Sequence, residues 1–177
     1  MPKAASLRSR TLPADHFRRA QPAEDDAYGF AEAPLSWVAT SGGSVADTLL
    51  AWERGEVAEL ITGCGWDVVS VPARVGWEAA RYLGRMHVPV GPVLSTVHDV
   101  RWLVLTGTAH GWDLGVGRLL PVGSAITVPH PAITAPHTVR GHSWIVEPRN
   151  RLTDGADLYG ACVAYSAGRA MRLGPAS

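Results

Sequence analysis

The run Gly65-Trp66-Asp67-Val68-Val69-Ser70-Val71-Pro72-Ala73-Arg74-Val75-Gly76 constrains this chain more than any other stretch. Between a glycine turn and a proline breaker it crowds β-branched residues from Asp67 to Val71, the pattern of a short buried strand. From Val75 to Met86 the period lengthens, and Val75, Ala79, Tyr82, Leu83 and Met86 share one face of a helix. The two periods together make a β-α unit. Many enzymes place metal-binding carboxylates at the end of such a strand. Here those positions hold Ser70 and Pro72, which are poor ligands for hard cations. The stretch therefore specifies a fold more clearly than a reaction.

Further elements follow by the same reasoning. Val45, Leu49 and Trp52 recur at helical spacing from Val45 to Arg54, with Ser44 as N-cap and Gly55 as stop. Short β-rich runs lie at Pro92 to Val97, Arg101 to Thr106, Ala125 to Val128 and Ser143 to Val146, each bounded by turn residues. Asp154 or Thr153 caps a last helix from about Gly155 to Leu173, where Leu158, Cys162, Tyr165 and Arg169 recur. Helices and short strands in this order predict a single α+β domain, residues 34–173, with a mixed or antiparallel sheet flanked by helices. A polar, proline-punctuated leader is expected over residues 1–33, carrying the basic arm Lys3, Arg8, Arg10, Arg18 and Arg19, with a short tail at 174–177.

At 177 residues, 46% hydrophobic, the chain is large enough for one buried core but not for two full domains. A formal net charge of zero argues against whole-molecule attraction to nucleic acid or anionic membrane, while leaving local patches open. The two cysteines, Cys64 and Cys162, are far apart and lack CxxC or zinc-finger spacing, so no disulfide framework is implied. No stretch reaches the roughly 20 apolar residues that span a bilayer, and the expected location is the cytoplasm, with no membrane partner.

Taken in order, Asp67 to Gly76, Gly91-Pro92-Val93, Arg101-Trp102-Leu103-Val104-Leu105, Gly123 to Pro131 and Trp144-Ile145-Val146-Glu147-Pro148 resemble one known family. It is the bifunctional DNA primase/polymerase N-terminal domain, or prim-pol, of the archaeo-eukaryotic primase superfamily. The likeness runs from about Ser36 to Ala170 and implies an RRM-like sheet with helices against it. Active members of that family carry an acid-x-acid pair, a strand histidine and a further acid. Their carboxylates hold the divalent metals of nucleotidyl transfer. In this chain the pair falls on Ser70 and Pro72, the histidine on Trp102, and the last acid on or beside Arg118.

The resemblance thus implies a degenerate domain that needs no cofactor and binds single-stranded DNA, a nucleotide or a protein partner. The alternatives are an active primase/polymerase with displaced ligands for Mg or Mn, drawn from Asp67, Asp99 and Asp113, and a protein-interaction domain with no nucleic-acid role. For the binding module the candidate contacts are Arg74, Arg101, Arg118 and Trp102, since guanidinium groups hold phosphates and indoles stack on bases. Trp66, Trp77 and Trp112 fall near the same segments, whereas Trp37, Trp52 and Trp144 read as core. His110, His130, His137 and His142 are possible imidazole ligands, but their spacing matches no closed zinc pattern. Ser41-Gly42-Gly43-Ser44 lacks the P-loop lysine and reads equally as a capping turn.

Overall fold

The computed structural model describes residues 35–149 and 151–173; the expected leader, with its basic arm, and the expected tail lie outside the described residues. Eleven elements follow one another: α1 Ser36–Ala39, α2 Val45–Glu53, β1 Ala58–Ile61, β2 Asp67–Pro72, α3 Ala73–Arg85, β3 Val93–Ser95, β4 Asp99–Val104, β5 Arg118–Leu119, β6 Ala125–Val128, β7 Ser143–Val146 and α4 Gly155–Leu173. The described chain is α+β, as expected. Ser44 caps α2 by accepting from the Asp47 amide at 3.2 Å, so Ser41 to Ser44 is a capping turn.

The main sheet has five strands in the order β5-β2-β4-β3-β7, and β1 pairs with β6 in a separate ribbon. Every strand pairing in both sheets is antiparallel. Since β4 runs antiparallel to both β2 and β3, β2 and β3 are parallel to each other with β4 inserted between them. Helix α3 makes the connection, which is a split β-α-β arrangement.

Two cores lie on opposite faces of this sheet. On one face Val69, Val71, Trp102, Val100 and Val93 pack against Val75, Ala79 and Leu83 of α3 and Leu158, Ala161 and Cys162 of α4. The other face sends Val68, Leu103, Leu94 and Trp144 into a core with Trp37, Trp52, Trp66 and the β1-β6 ribbon. Three of its four indole nitrogens are satisfied by backbone: Trp52 donates to Val128 O, Trp66 to Trp37 O and Trp144 to Pro129 O, while the buried Trp37 Nε1 has no partner among the described residues. Trp37, Trp52 and Trp144 are thus the core residues the sequence predicts. Cys162 is a buried thiol pushed up to about 11 by desolvation, so it is neutral at physiological pH. Among the described residues no helix is long and apolar enough to cross a membrane.

Three elements escape the sequence patterns. The helix α1 is a single turn, β5 is two residues, and β1 alternates buried and exposed positions over only four residues. The β4 strand also begins at Asp99, two residues before the expected Arg101. It starts there because Thr96 closes a tight turn onto Asp99, with the Thr96 amide donating to the Asp99 carbonyl at 2.9 Å.

Candidate functional site

On the sheet face packed by the ribbon and the N-terminal helices, part of β2 lies beyond them at a depression. Along β2, Val68 is sealed in the core, while Ser70 and Pro72, further along the same face, border an open depression of about 370 Å3. Strand register explains what lines it. Ser70 stands opposite Arg118 of β5 on one side and Arg101 of β4 on the other, and Arg101 in turn faces Leu94, which faces Trp144. One rung thus crosses all five strands, from the exposed Arg118 and the buried Ser70 beside the depression, through the partly exposed Arg101, to an aliphatic chain and an indole in the core.

The carboxylate of Asp99 organises this rung. Its Oδ2 accepts from Ser70 Oγ at 2.7 Å, its Oδ1 from Thr96 Oγ1 at 2.6 Å, and Arg101 Nε donates to both oxygens at 3.1 and 3.3 Å. Partial burial alone pushes the Asp99 carboxyl up. The Thr96 and Ser70 hydroxyls and the Arg101 charge outweigh that and hold it below its ordinary value. Thr96 is fixed in turn, because its hydroxyl accepts from the backbone amides of His98 and Asp99. The Nε of Arg101 is committed to Asp99, and its side chain is 23% exposed. Arg118 has no carboxylate within ion-pairing distance among the described residues. Gly117 lets β5 approach: its φ is +88°, and a Cβ there would sit 2.3 Å from the Ser70 carbonyl oxygen.

Trp102 does not belong to this face. It pairs with Val69 rather than Ser70, points under the helices and is 0% exposed. Its indole has no face to offer a base, and its position opposite Ser70 is taken by Arg101. Arg74 is also elsewhere, on the first turn of α3 in a groove against α4. Of the expected nucleic-acid contacts, Arg101 and Arg118 stay together, and Trp102 and Arg74 leave. Trp66 is buried, Trp112 stacks edge-on against Tyr159, and Trp77 is 39% exposed on α3.

The three carboxylates of the active-enzyme alternative do not converge. Asp67 accepts from the Gly107 amide at 2.8 Å, and Asp113 accepts from the Tyr159 hydroxyl at 3.0 Å. Asp99 pairs with Pro72, five residues along β2 from Asp67, which is about 17 Å of strand. Among the described residues no three His, Cys, Asp or Glu side chains form a group able to hold a metal ion. The histidines are likewise separate. The two ring nitrogens of His142 contact Thr127 Oγ1 and the Arg140 carbonyl, while His130 packs edge-on against Trp52 and accepts from the Ala132 amide. His98 lies in the turn before β4 and lines the depression beside Asp99.

The Thr96-x-x-Asp99 turn and Gly117 are the parts of the site that motif reading overlooks. The turn carries a local signal, a hydroxyl three residues ahead of a carboxylate, whereas nothing in Arg118-Leu119 marks the strand that follows Gly117. No family model, curated protein or solved structure matches the chain.

Proposed function

We propose that this chain is a degenerate prim-pol-type domain that has exchanged metal-dependent nucleotidyl transfer for direct binding of single-stranded nucleic acid on its open sheet face. The observation that carries this reading is the rung Arg118, Ser70, Arg101. In the family the chain resembles, carboxylates on this face grip cations, and the cations grip phosphates. Here the nearby carboxylate, Asp99, is saturated by hydroxyl and guanidinium donors. The exposed cation on this face is Arg118, with the partly exposed Arg101 in the same rung, so phosphates are met directly, without a metal between. The inserted β4 between parallel β2 and β3, with β5 flanking β2, supports the RRM-like arrangement that the resemblance implies.

The test is fluorescence anisotropy with a labelled oligo-dT strand in 50 to 200 mM salt, comparing wild type with Arg118→Ala and Arg101→Lys. The expected result is binding that weakens with salt. Arg118→Ala should lose roughly tenfold in affinity and lower the logarithmic salt slope by about 0.7, the value for one phosphate contact on a single strand. Arg101→Lys retains the charge but not the fork, and should lose less. No binding at low salt, or binding indifferent to Arg118, defeats the proposal. Primer synthesis with manganese and labelled nucleotides should give no product above background, and robust metal-dependent product would equally overturn it.

A further inference from the structure

The second cationic surface is on the opposite side of the sheet. Helices α3 and α4 leave between them a groove of about 270 Å3 whose lining includes Arg74, Arg85, Arg169, Tyr82, Tyr165 and Glu78. Residues 74, 78, 82 and 85 recur at helical spacing along one stripe of α3, and 165 and 169 do the same on α4. Glu78 is engaged by Arg81 at 3.1 Å. None of Arg74, Arg85 and Arg169 has a carboxylate within ion-pairing distance among the described residues. The molecule as a whole is neutral, so this concentration of like charge is local.

We infer that the α3-α4 groove is a binding site for a chain of phosphates. Three exposed guanidinium groups line one groove with no carboxylate in ion-pairing distance among the described residues, and an anion of repeating charge engages all three at once. Arg74 and Arg85 are separated by 11 residues of helix, about 16 Å, which is several times the reach of a single phosphate and matches a ligand that runs along the groove. Guanidinium forks pair with phosphate oxygens in bidentate fashion, and the tyrosine hydroxyls add donors of the right kind between them. The floor is open at Gly168, where a Cβ would meet no atom within 4 Å. This site is separate from the sheet face and does not depend on the reading proposed for it.

The full-length chain is to be tested with two probes, short-chain inorganic polyphosphate and an oligo-dT strand, by competition in a salt series. The variants are Arg85→Ala, Arg169→Ala and Gly168→Glu, with Arg54→Ala as an exposed control outside the groove. Each arginine variant should weaken polyphosphate binding roughly tenfold and flatten the salt slope, while Arg54→Ala leaves both unchanged. Gly168→Glu places a negative charge in the groove at an unobstructed helical position where Glu is a better helix former than Gly, so it should abolish binding without loss of helicity. If oligo-dT shows the same dependence, the phosphate source is a nucleic-acid strand; if only polyphosphate does, it is an inorganic chain, and either result supports the site. Unchanged affinity and slope in the Arg85→Ala and Arg169→Ala variants overturn it. So does equal competition by polyglutamate, which would make the groove a surface for acidic peptides. Arg118→Ala should retain polyphosphate binding, so failure of the sheet-face proposal and failure of this one read out separately.

Discussion

At the scale of single residues, Asp99 shows how a carboxylate can tie a serine, a threonine and an arginine together. Its charge is stabilised by two hydroxyls and one guanidinium, and its carboxyl lies below the ordinary value. A carboxyl whose folded pKa is depressed contributes stability above its unfolded value, and that contribution disappears as pH falls through the folded value. Asp99→Asn removes the charge and turns an amide donor toward groups that already donate. At neutral pH the variant should be less stable than wild type by about 1–2 kcal/mol, reduced from a fully buried case because the side chains are 19–23% exposed. Urea unfolding from pH 7 down to pH 3 should show the difference narrowing below about pH 4, the ordinary carboxylate range. A difference constant across that range would show that the charge is not what Asp99 contributes. Arg101 and Trp102 show where residue-level reading stops. Both are large, polar-capable residues on one predicted strand, and the one-residue offset that decides which meets Ser70 is a property of pairing register. Moving the register by one reverses every side chain, so nothing local to β4 reveals it.

At the scale of elements, the periodic helices and the β-rich runs, including the four-residue β6 and β7, were readable, whereas α1, β1 and β5 were not. The helical spacing of α3 and α4 and the β-branched run of β2 each bury a continuous stripe, and that is the origin of the sequence pattern. A two-residue strand such as β5 buries too little to impose a pattern of its own. It exists because β2 offers it an edge and Gly117 permits the approach. Gly76 is a comparable device inside α3, since a Cβ there would lie 2.4 Å from the Val100 side chain of β4. Two effects oppose each other in Gly76→Ala. Alanine gains about 1 kcal/mol of helix propensity, whereas forcing α3 off a rigid β-branched neighbour costs about 1–3 kcal/mol. The clash should win, because Val100 is fully buried and has no room to turn. Gly76→Ala should therefore lower the urea midpoint, and adding Val100→Gly, which removes the Val100 Cβ that the new methyl would meet, should restore part of the loss relative to the sum of the two single changes. Additive effects in that cycle would mean that α3 does not rest on β4 at Gly76.

At the scale of the whole molecule, the five-stranded sheet is shared between two cores that differ in kind. One is built on tryptophan, with Trp37, Trp52, Trp66 and Trp144 beside the β1-β6 ribbon, and the other on valine and the two long helices. Sequence composition records the tryptophans but not that four of the seven gather in one core while Trp102 lies in the other, which arises only when strands distant in the chain pair. Because β2, β3 and β4 contribute alternate residues to both cores, neither core can be lost while the sheet that walls the other persists. Unfolding should then be a single transition. Two probes weight the two cores differently: tryptophan fluorescence leans to the first, which holds four of the seven tryptophans, and far-ultraviolet circular dichroism weights the second, which holds the 13- and 19-residue helices. The informative variant is Trp144→Ala, at the end of the rung that begins with Arg118. Trp144 is fully buried, meets Trp37 edge-on at 5.6 Å and donates to Pro129 O, so its removal should cost about 3–5 kcal/mol. If the sheet couples the cores, the fluorescence and dichroism midpoints move down together and remain coincident. Separation of the two curves, with the helices surviving the loss of the tryptophan core, would mean that the open half of the sheet rests on one core alone.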